Sequence, residues 1–545
     1  MMPKKTKRQG MKMPKTVKLS EEQIDALFSK ITDSTLDDEA AEFIKLAILG
    51  NAWLIQELER GKLTIAKLRK LFQIQGSEKA MHRKPINDPA AANNQKGTQT
   101  SKGHGRNGVE AYAGAKVVDV PHPELSPGDI CPKEFCDGRL YEMTDPGVLI
   151  RVTGAPLASA TQYRMQKLRC AICEVIYTAP LPDGVSDKKY DASFVAMLMI
   201  NKYFMAIPLY RQDRLQKYLG IPLPASTQWE LMAEHKPMLA AVYQALYQDA
   251  ANGLALCYDD TSVKIQSEIK AARKAEKGQK NKYNCFTTGV VSIHKDHCTY
   301  LYMSDNHTAG KSIAKLITMR DEKLALPTIM SDALSANIPK DISEDLYTLC
   351  FCLVHARRQF YQLPDGYDDL ADQVIGFIGN IYDHEASTKD FDAEKRLAYH
   401  QKNSAPIMQA LKTFLEQQQL QFEPNSVPGK AIAYILNRFT ELSQFLRHAH
   451  APLDTNIVER ALKLVIQVRK SSMFYKSLNS AALASYIQSA IYSAAQNDIN
   501  PCAYMTALLA NEQAVIERPQ DWLPWHYQKT LKKNQEVCAK KALMA

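Results

Sequence analysis

Apolar positions follow a helical period early in the chain, alternate in its middle and become helical again towards its end. Ser20 opens S-E-E-Q, a capping box with Gln23 at its third position, and Ile24, Leu27, Phe28 and Ile31 follow at helical spacing. A second helix is predicted from Asp38 to Arg60. Its apolar positions Ile44, Ala47, Leu54 and Leu58 run on to Ile65, Leu68 and Phe72 at heptad-like spacing, with Asn51 and Gly61 in the seam. That pattern suits a short self-association zipper or an ordinary helical hairpin broken at G-K-L-T. Periodicity then disappears in a Gly-, Asn- and Lys-bearing stretch containing N-N-Q-K-G-T-Q-T-S-K-G-H-G-R-N-G, a flexible basic linker. Its cations suit either phosphate contacts or simple solvation.

Helical spacing returns over 186–250. There Y-R-Q-D-R-L-Q-K-Y-L, a turn at Gly220-Ile221-Pro222 and a second helix capped by Ser226 have the outline of a helix-turn-helix, or of a plain packed helix pair. From 254 the period changes to two. L-A-L-C-Y-D-D-T-S-V-K-I reads as a strand with Asp259 on the face of Cys257 and Thr261 and Asp260 on the other. K-A-A-R-K-A-E-K-G-Q-K-N-K reads as a basic loop. Two more strands follow with a turn near Lys295-Asp296, then an amphipathic helix, a short strand ending at Asp332, and a strand running into a helix at L-Y-T-L-C-F-C-L-V-H-A-R-R-Q-F. This is the ribonuclease-H-like order. Residues 360–450 read as mostly helical. In the next helix Ile457, Val458, Ala461, Leu462, Leu464, Val465, Ile466 and Val468 leave one narrow polar stripe, where Glu459 stands among Arg460, Lys463 and Lys470. Alone, Glu459 reads as a surface partner of Lys463 at i,i+4.

At 545 residues the chain has room for about three to five domains. A hydrophobic content of 45% and a charged content of 23% are ordinary for a globular protein, and no apolar run is long enough to span a membrane. The first 18 residues hold seven Lys or Arg and no acid, but no apolar segment follows, so they read as a basic tail rather than a secretory signal. The net charge of +9 tilts the chain towards a polyanionic partner. Eleven cysteines without a signal read as cytosolic thiols and metal ligands. Cys131 with Cys136 and Cys170 with Cys173 form two close pairs, suited to one tetrahedral Zn²⁺ or else unrelated. The remaining cysteines, among them Cys257, Cys285, Cys298, Cys350, Cys502 and Cys538, read as ordinary buried thiols.

Asp259, Asp332 and Glu459 are remote in sequence and can meet only through the fold. Brought together, three carboxylates would repel one another unless hard cations joined them, which is the arrangement that two-metal phosphodiester chemistry uses.

The residues around them resemble a known family. C-Y-D-D-T-S-V, M-S-D-A-L-S, C-L-V-H-A-R-R-Q-F, N-S-V-P-G-K-A-I-A-Y and L-D-T-N-I-V-E-R-A-L-K-L-V-I-Q-V-R-K-S-S-M-F are similar to motifs of the insertion-sequence-66 family of bacterial DDE transposases. The likeness extends outward to the amino-terminal helices, the G-H-G-R-N-G linker, the four cysteines and N-P-C-A-Y-M-T-A-L-L…W-L-P-W-H-Y. It departs from the family pattern at Asp260 and Ser262, at Ala333 and Leu334 where the family has glycine and tyrosine, and at Thr455 and Ser471 where it has asparagine.

The resemblance implies a multidomain α/β protein. It has a basic tail and zipper-like region at 1–75, a linker at 76–120 and a zinc ribbon at 121–185. A helix-turn-helix region at 186–250 leads to a ribonuclease-H-like DDE catalytic domain at 251–500, with a helical insertion at about 360–450, and to a tail at 501–545. It implies Asp259, Asp332 and Glu459 as ligands of two Mg²⁺ (or Mn²⁺), and Cys131, Cys136, Cys170 and Cys173 as ligands of one structural Zn²⁺. His355, Arg357, Arg358, Arg460, Lys463 and Lys470 become candidate contacts to DNA or supports of the site. The expected activity is 3′-end nicking at terminal inverted repeats and strand transfer to target DNA. Expected with it are a homodimer or higher form on paired ends, accessory proteins of the same element, and a cytoplasmic, nucleoid-associated location. The competing expectations are a catalytically inactive DNA-binding repressor and a structure-specific nuclease on the same fold.

Overall fold

The computed structural model describes residues 117–132, 136–143, 148–149, 158–169, 171, 176–274 and 285–544. The expected zipper region, nearly all of the expected linker, and Cys170 and Cys173 lie outside the described residues.

The alternation at 254–335 becomes a five-stranded mixed sheet. β1 (Lys167–Arg169) and β2 (Ile176–Thr178) form a small antiparallel pair on their own. The main sheet consists of β3 (Ala255–Ser262), β4 (Phe286–Ile293), β5 (Cys298–Asp305), β6 (Thr328–Ser331) and β7 (Thr348–Phe351), in the spatial order β5-β4-β3-β6-β7. β4 runs antiparallel to β3 and to β5, whereas β6 is parallel to β3 and to β7.

Helices surround this sheet. Preceding it are α1 (Ala192–Met199), continued by a π-helical turn at Ile200–Phe204, then α2 (Leu209–Tyr218), α3 (Ala225–Ala233) and α4 (Lys236–Ala251). α5 (Gln266–Lys274) follows β3, in part of the stretch expected to be loop, and α6 (Ala309–Ile317) connects β5 to β6. Ile269 and the backbone bond from its N–H to Ile265 show why: the helix starts from the end of β3 before the run of cations begins. After β7 come α7 (Leu353–Tyr361), α8 (Asp368–Ser387), α9 (Ala393–Gln419), α10 (Val427–Leu436), the single turn α11 (Phe439–Leu442) and α12 (Asn456–Ser472). α13 (Leu478–Gln496), α14 (Pro501–Ala510), α15 (Glu512–Glu517) and α16 (Tyr527–Met544) follow. The α2–α3 pair forms as expected, but Pro224 occupies the N-cap and Ser226 lies inside α3. Gln228 ties the pair together by donating to the carbonyls of Leu209 and Leu223.

Strand alternation divides the core in two. Leu256, Tyr258, Val290, Leu301 and Ile329 face one side, packed with residues of α1, α4, α6, α13 and α14. Cys257, Val291, Tyr300, Tyr302 and Met330 face the other, packed with α7 to α10 and α12. The tail joins the first core through Tyr504, Trp522 and Tyr527.

The outer edge of β5 is satisfied by side chains rather than by another strand. The N–H groups of Tyr300 and Tyr302 donate to Ser493 and Ser489, and Asn497 both accepts from Cys298 N–H and donates to its carbonyl. Ser489 and Ser493 on α13 and Asn497 at its C-cap, each one helical turn from the next, thereby close an edge that would otherwise template aggregation.

α12 approaches the sheet at Gly289, which pairs with Asp259 across β3 and β4. A Cβ at Gly289 would lie 2.8 Å from Leu462 Cδ2, 3.0 Å from its Cγ and 3.4 Å from Val458 Cγ2. Leu462 and Val458 are buried and have little room to move. Gly289→Ala is therefore expected to destabilise the protein by about 1–3 kcal/mol through overpacking. Combined with Leu462→Ala it should cost less than the two single changes together, because the smaller side chain makes room. Urea denaturation of the four proteins checks this; strictly additive losses would show that the contact does not limit the approach of α12.

Candidate active site

The register that pairs Ala255 with Thr328 and Cys257 with Met330 brings Asp259 level with Asp332, one strand away. Asp259 lies on the Cys257 face of β3, the same side as α12, while Asp260 faces the other core and accepts the backbone N–H of Ala309 at the start of α6. Asp332 immediately follows β6, and Glu459 lies in the first turn of α12, where the helix dipole favours a carboxylate.

Each of these three carboxylates is anchored through one oxygen. Asp259 Oδ1 accepts from Asp260 N–H at 2.8 Å. Asp332 Oδ1 accepts from Leu334 N–H at 3.0 Å and from Asn337 Nδ2 at 2.8 Å. Glu459 Oε1 accepts from Thr455 Oγ1 at 3.3 Å and lies 3.9 Å from His355 Nε2. The second oxygen of each has no hydrogen-bond partner among the described residues, and Glu459 does not pair with Lys463. Burial pushes the Asp259 carboxyl up to about 7; the Asp260 N–H opposes this, and the charges of Asp332, Asp260 and Glu459 add to it. Asp260 is also raised by burial and by Asp332. The three groups therefore sense one another without forming a closed cluster. Among the described residues, the ligand-type side chains whose donor atoms all lie within 4.8 Å of one another are Asp249, His294 and His297, at a different place on the sheet.

The backbone around Asp332 explains a departure in its motif. Ala333 has φ = 64°, the left-handed region that glycine enters freely and alanine only at a cost of roughly 1 kcal/mol. That turn reverses the chain so that Leu334 N–H reaches back to Asp332. The loop is also held from outside. Gly310 N–H donates to Ala336 O, and a Cβ at Gly310 would lie 2.5 Å from Ile338 O and 2.8 Å from Ala336 O. From the opposite side Tyr434 on α10 donates its hydroxyl to Asp332 O at 3.1 Å.

His355 reaches Glu459 because two helix starts are joined. Cys352 caps α7, and its sulfur accepts from Thr455 N–H and Oγ1, both at 3.4 Å. Leu353 N–H donates to Leu453 O beside it. This brings together C-L-V-H and the T-N-I-V-E that opens α12. Arg357 and Arg358 are half-buried on α7, while Arg460, Lys463 and Lys470 are exposed on α12.

Two cations here escaped sequence reasoning. Arg469 donates to Thr261 Oγ1 at 2.9 Å and to Ser262 O, fastening α12 to the end of β3. Its place beside Lys470 in the R-K motif was the available signal. Lys202, from the π-helical turn, donates to Ser472, and burial pushes its ammonium down to about 8. Nothing in the local pattern marks it. Arg469 and Lys470 line a cleft of about 540 Å³ with Ser262, Lys264, Phe286 and Met473.

Cys131 and Cys136 are both half-buried, and Cys131 N–H donates to Gly138 O next to the Ile130–Arg139 bridge. Strands β1 and β2 flank the stretch containing Cys170 and Cys173. Cys257, Cys285 and Cys350 are buried, while Cys298 and Cys502 are partly open. No helix among the described residues is long and apolar enough to cross a membrane.

Three relatives from Sinorhizobium fredii are similar over most of the chain. The uncharacterized protein y4hP is 24% identical over 389 residues, 67% of this chain and 67% of its own length. The uncharacterized protein y4jD is 26% identical over 400 residues, 66% of this chain and 70% of its own. The uncharacterized protein y4qI is 22% identical over 347 residues, 61% of this chain and 62% of its own. The family model described as "Transposase IS66 family" matches residues 188–483, from the helices before the sheet through α12 into α13. With more than half of its length matched, the chain belongs to the IS66 family of transposases.

Proposed function

We propose that this protein is an active DDE transposase: it binds the terminal inverted repeats of its element, nicks the 3′ ends and joins them to target DNA. The observation that carries this reading is the level placement of Asp259 and Asp332 on adjacent parallel strands, with Glu459 brought alongside by the close approach of α12 at Gly289. The sheet order, with three antiparallel strands followed by two parallel ones, supports a ribonuclease-H-like core.

The donor set fits Mg²⁺ or Mn²⁺. All three groups are hard carboxylates, each with one oxygen anchored and one without a hydrogen-bond partner among the described residues. Two ions bound there supply phosphate neutralisation and activation of the attacking oxygen. Asp259 rather than Asp260 is the ligand, since it shares a side with α12. His355 orients Glu459. Arg460, Lys463 and Lys470 lie on the exposed stripe of α12 and contact DNA phosphates, with Arg357 and Arg358 in support. Helices α2 and α3 are the end-recognition element. Cys131, Cys136, Cys170 and Cys173 hold one structural Zn²⁺, consistent with the backbone bond from Cys131 to Gly138, two residues past Cys136. Paired ends call for a homodimer or larger assembly, with accessory proteins of the element as partners.

The test is strand transfer in vitro with the element's own end DNA and Mg²⁺ or Mn²⁺. The expected result is joining by the native protein, with Asp259→Asn binding the same DNA but joining none. Native protein that binds ends and never joins them would make the chain a repressor. Cleavage that follows branched structure rather than end sequence would make it a nuclease.

A further inference from the structure

A second group of ligand-type side chains lies at the other end of the sheet. The β4–β5 hairpin carries His294 and His297 on either side of its turn, and Asp249 comes from the last turn of α4. Ile293, next to His294, pairs with Ala255 at the start of β3, whereas Asp259 lies further along towards its end. His294 Nε2 and His297 Nε2 each lie 3.2 Å from the same oxygen, Asp249 Oδ2. The two imidazoles are stacked, with centroids 4.2 Å apart and planes 9° from parallel, so binding one ion through both Nε2 atoms requires one ring to turn about its Cβ–Cγ bond until the two lone pairs converge.

Hydrogen bonding assigns the atoms. His297 Nδ1 lies 2.8 Å from Asp296 Oδ1, a carboxylate that can only accept, so Nδ1 carries the proton. In the neutral ring Nε2 then turns a lone pair towards Asp249 Oδ2. That contact is repulsive unless a second proton or a cation lies between them. A second proton would give an imidazolium held between the Asp249 and Asp296 carboxylates, and a metal cation at Nε2 would satisfy the same lone pair. Asp249 Oδ2 also accepts from Thr299 Oγ1.

The spacing suits a metal. Bond lengths of about 2.0–2.1 Å to nitrogen and oxygen in a tetrahedral shell separate neighbouring ligand atoms by roughly 3.3 Å. An N₂O donor set selects zinc-like ions over magnesium. Asp296 behind His297 is the carboxylate–histidine arrangement that orients metal ligands. His294, His297 and Asp249 keep 13%, 12% and 19% of their side-chain surface exposed, enough for an ion to enter and retain water. We propose that Asp249 Oδ2, His294 Nε2 and His297 Nε2 bind a divalent transition-metal ion, Zn²⁺ or its analogues Co²⁺ and Ni²⁺, with water as the fourth ligand. The Trp525 ring lies 3.8 Å from that of His297, so the bound ion locks the hairpin to α4 beneath the carboxy-terminal segment. This site is structural and does not depend on the transposase reading.

The test titrates the metal-stripped full chain with Co²⁺, measuring bound metal and tryptophan fluorescence. The native protein is expected to bind about one equivalent more than His297→Gln and to show a saturable quench that His297→Gln lacks. Trp525→Phe, which leaves every ligand in place, should keep the stoichiometry and lose the quench. This arm stands even if His297→Gln fails to fold. Co²⁺ at the cysteines is recognised separately by thiolate charge-transfer absorption. Equal stoichiometry in native protein and a folded His297→Gln, or a quench that survives in Trp525→Phe, would overturn the proposal.

Discussion

Glu459→Gln should leave end-DNA binding intact and slow strand joining by roughly 10³-fold, about 4 kcal/mol of lost transition-state stabilisation. Glutamine has the same shape and its carbonyl can still accept from Thr455 Oγ1, so the start of α12 keeps its packing on β3 and β4. What disappears is one negative charge at the first turn of α12, which in the proposed mechanism helps draw divalent ions to the carboxylates. Under the proposed function binding rests on Arg460, Lys463 and Lys470, which lie on the exposed stripe and are untouched. Single-turnover joining of labelled end DNA, beside binding at one fixed salt concentration, separates the two quantities. Joining within tenfold of the native rate would remove Glu459 from the site.

Asp259→Asn should stabilise the metal-free protein at pH 8. Burial, reinforced by Asp332, Asp260 and Glu459, raises the Asp259 carboxyl to about 7, against 3.8 for the ordinary group. Below about pH 4 the carboxyl is protonated whether the chain is folded or not, and it costs nothing. Between pH 4 and pH 7 the unfolded chain releases the proton freely while the folded chain retains it, so the fold loses stability as pH rises. Above pH 7 the penalty is constant. Asparagine has no such penalty. The variant's advantage should therefore be absent near pH 4 and reach on the order of a few kcal/mol by pH 8. Mg²⁺ should narrow the gap by stabilising the native protein and not the variant. Urea denaturation with a chelator and then with Mg²⁺, across that pH range, measures both effects. A variant less stable than native protein at pH 8 would mean that Asp259 is not crowded by its neighbours.

Local pattern carried much of this protein. Alternation over a few residues was enough to put Asp259 and Asp260 on opposite faces, and the buried stripe of α12 follows directly from Val458, Ala461, Leu462 and Val465. The strand and helix order around Asp332 was equally legible, because hydrophobic periodicity is written within one element. The motifs that resemble the transposase family led to a family that the match over 188–483 bears out.

Other features depend on partners that no window of sequence contains. Residues 270–274 read as part of a basic loop, yet they continue a helix begun at Gln266 against the end of β3. Arg469 is one more cation in α12 until Thr261 and Ser262 are seen to receive it, and Ala333 is unremarkable until its left-handed backbone turns Leu334 back to Asp332. Asp249, His294 and His297 carry no motif: an α4 residue meets a hairpin turn because β4 pairs with the start of β3 at that point. Periodicity and residue chemistry are local properties of a chain, so the elements and the acid-bearing strands could be read directly. Which side chains converge is set by strand register and helix docking, long-range choices made by the packing of the whole core.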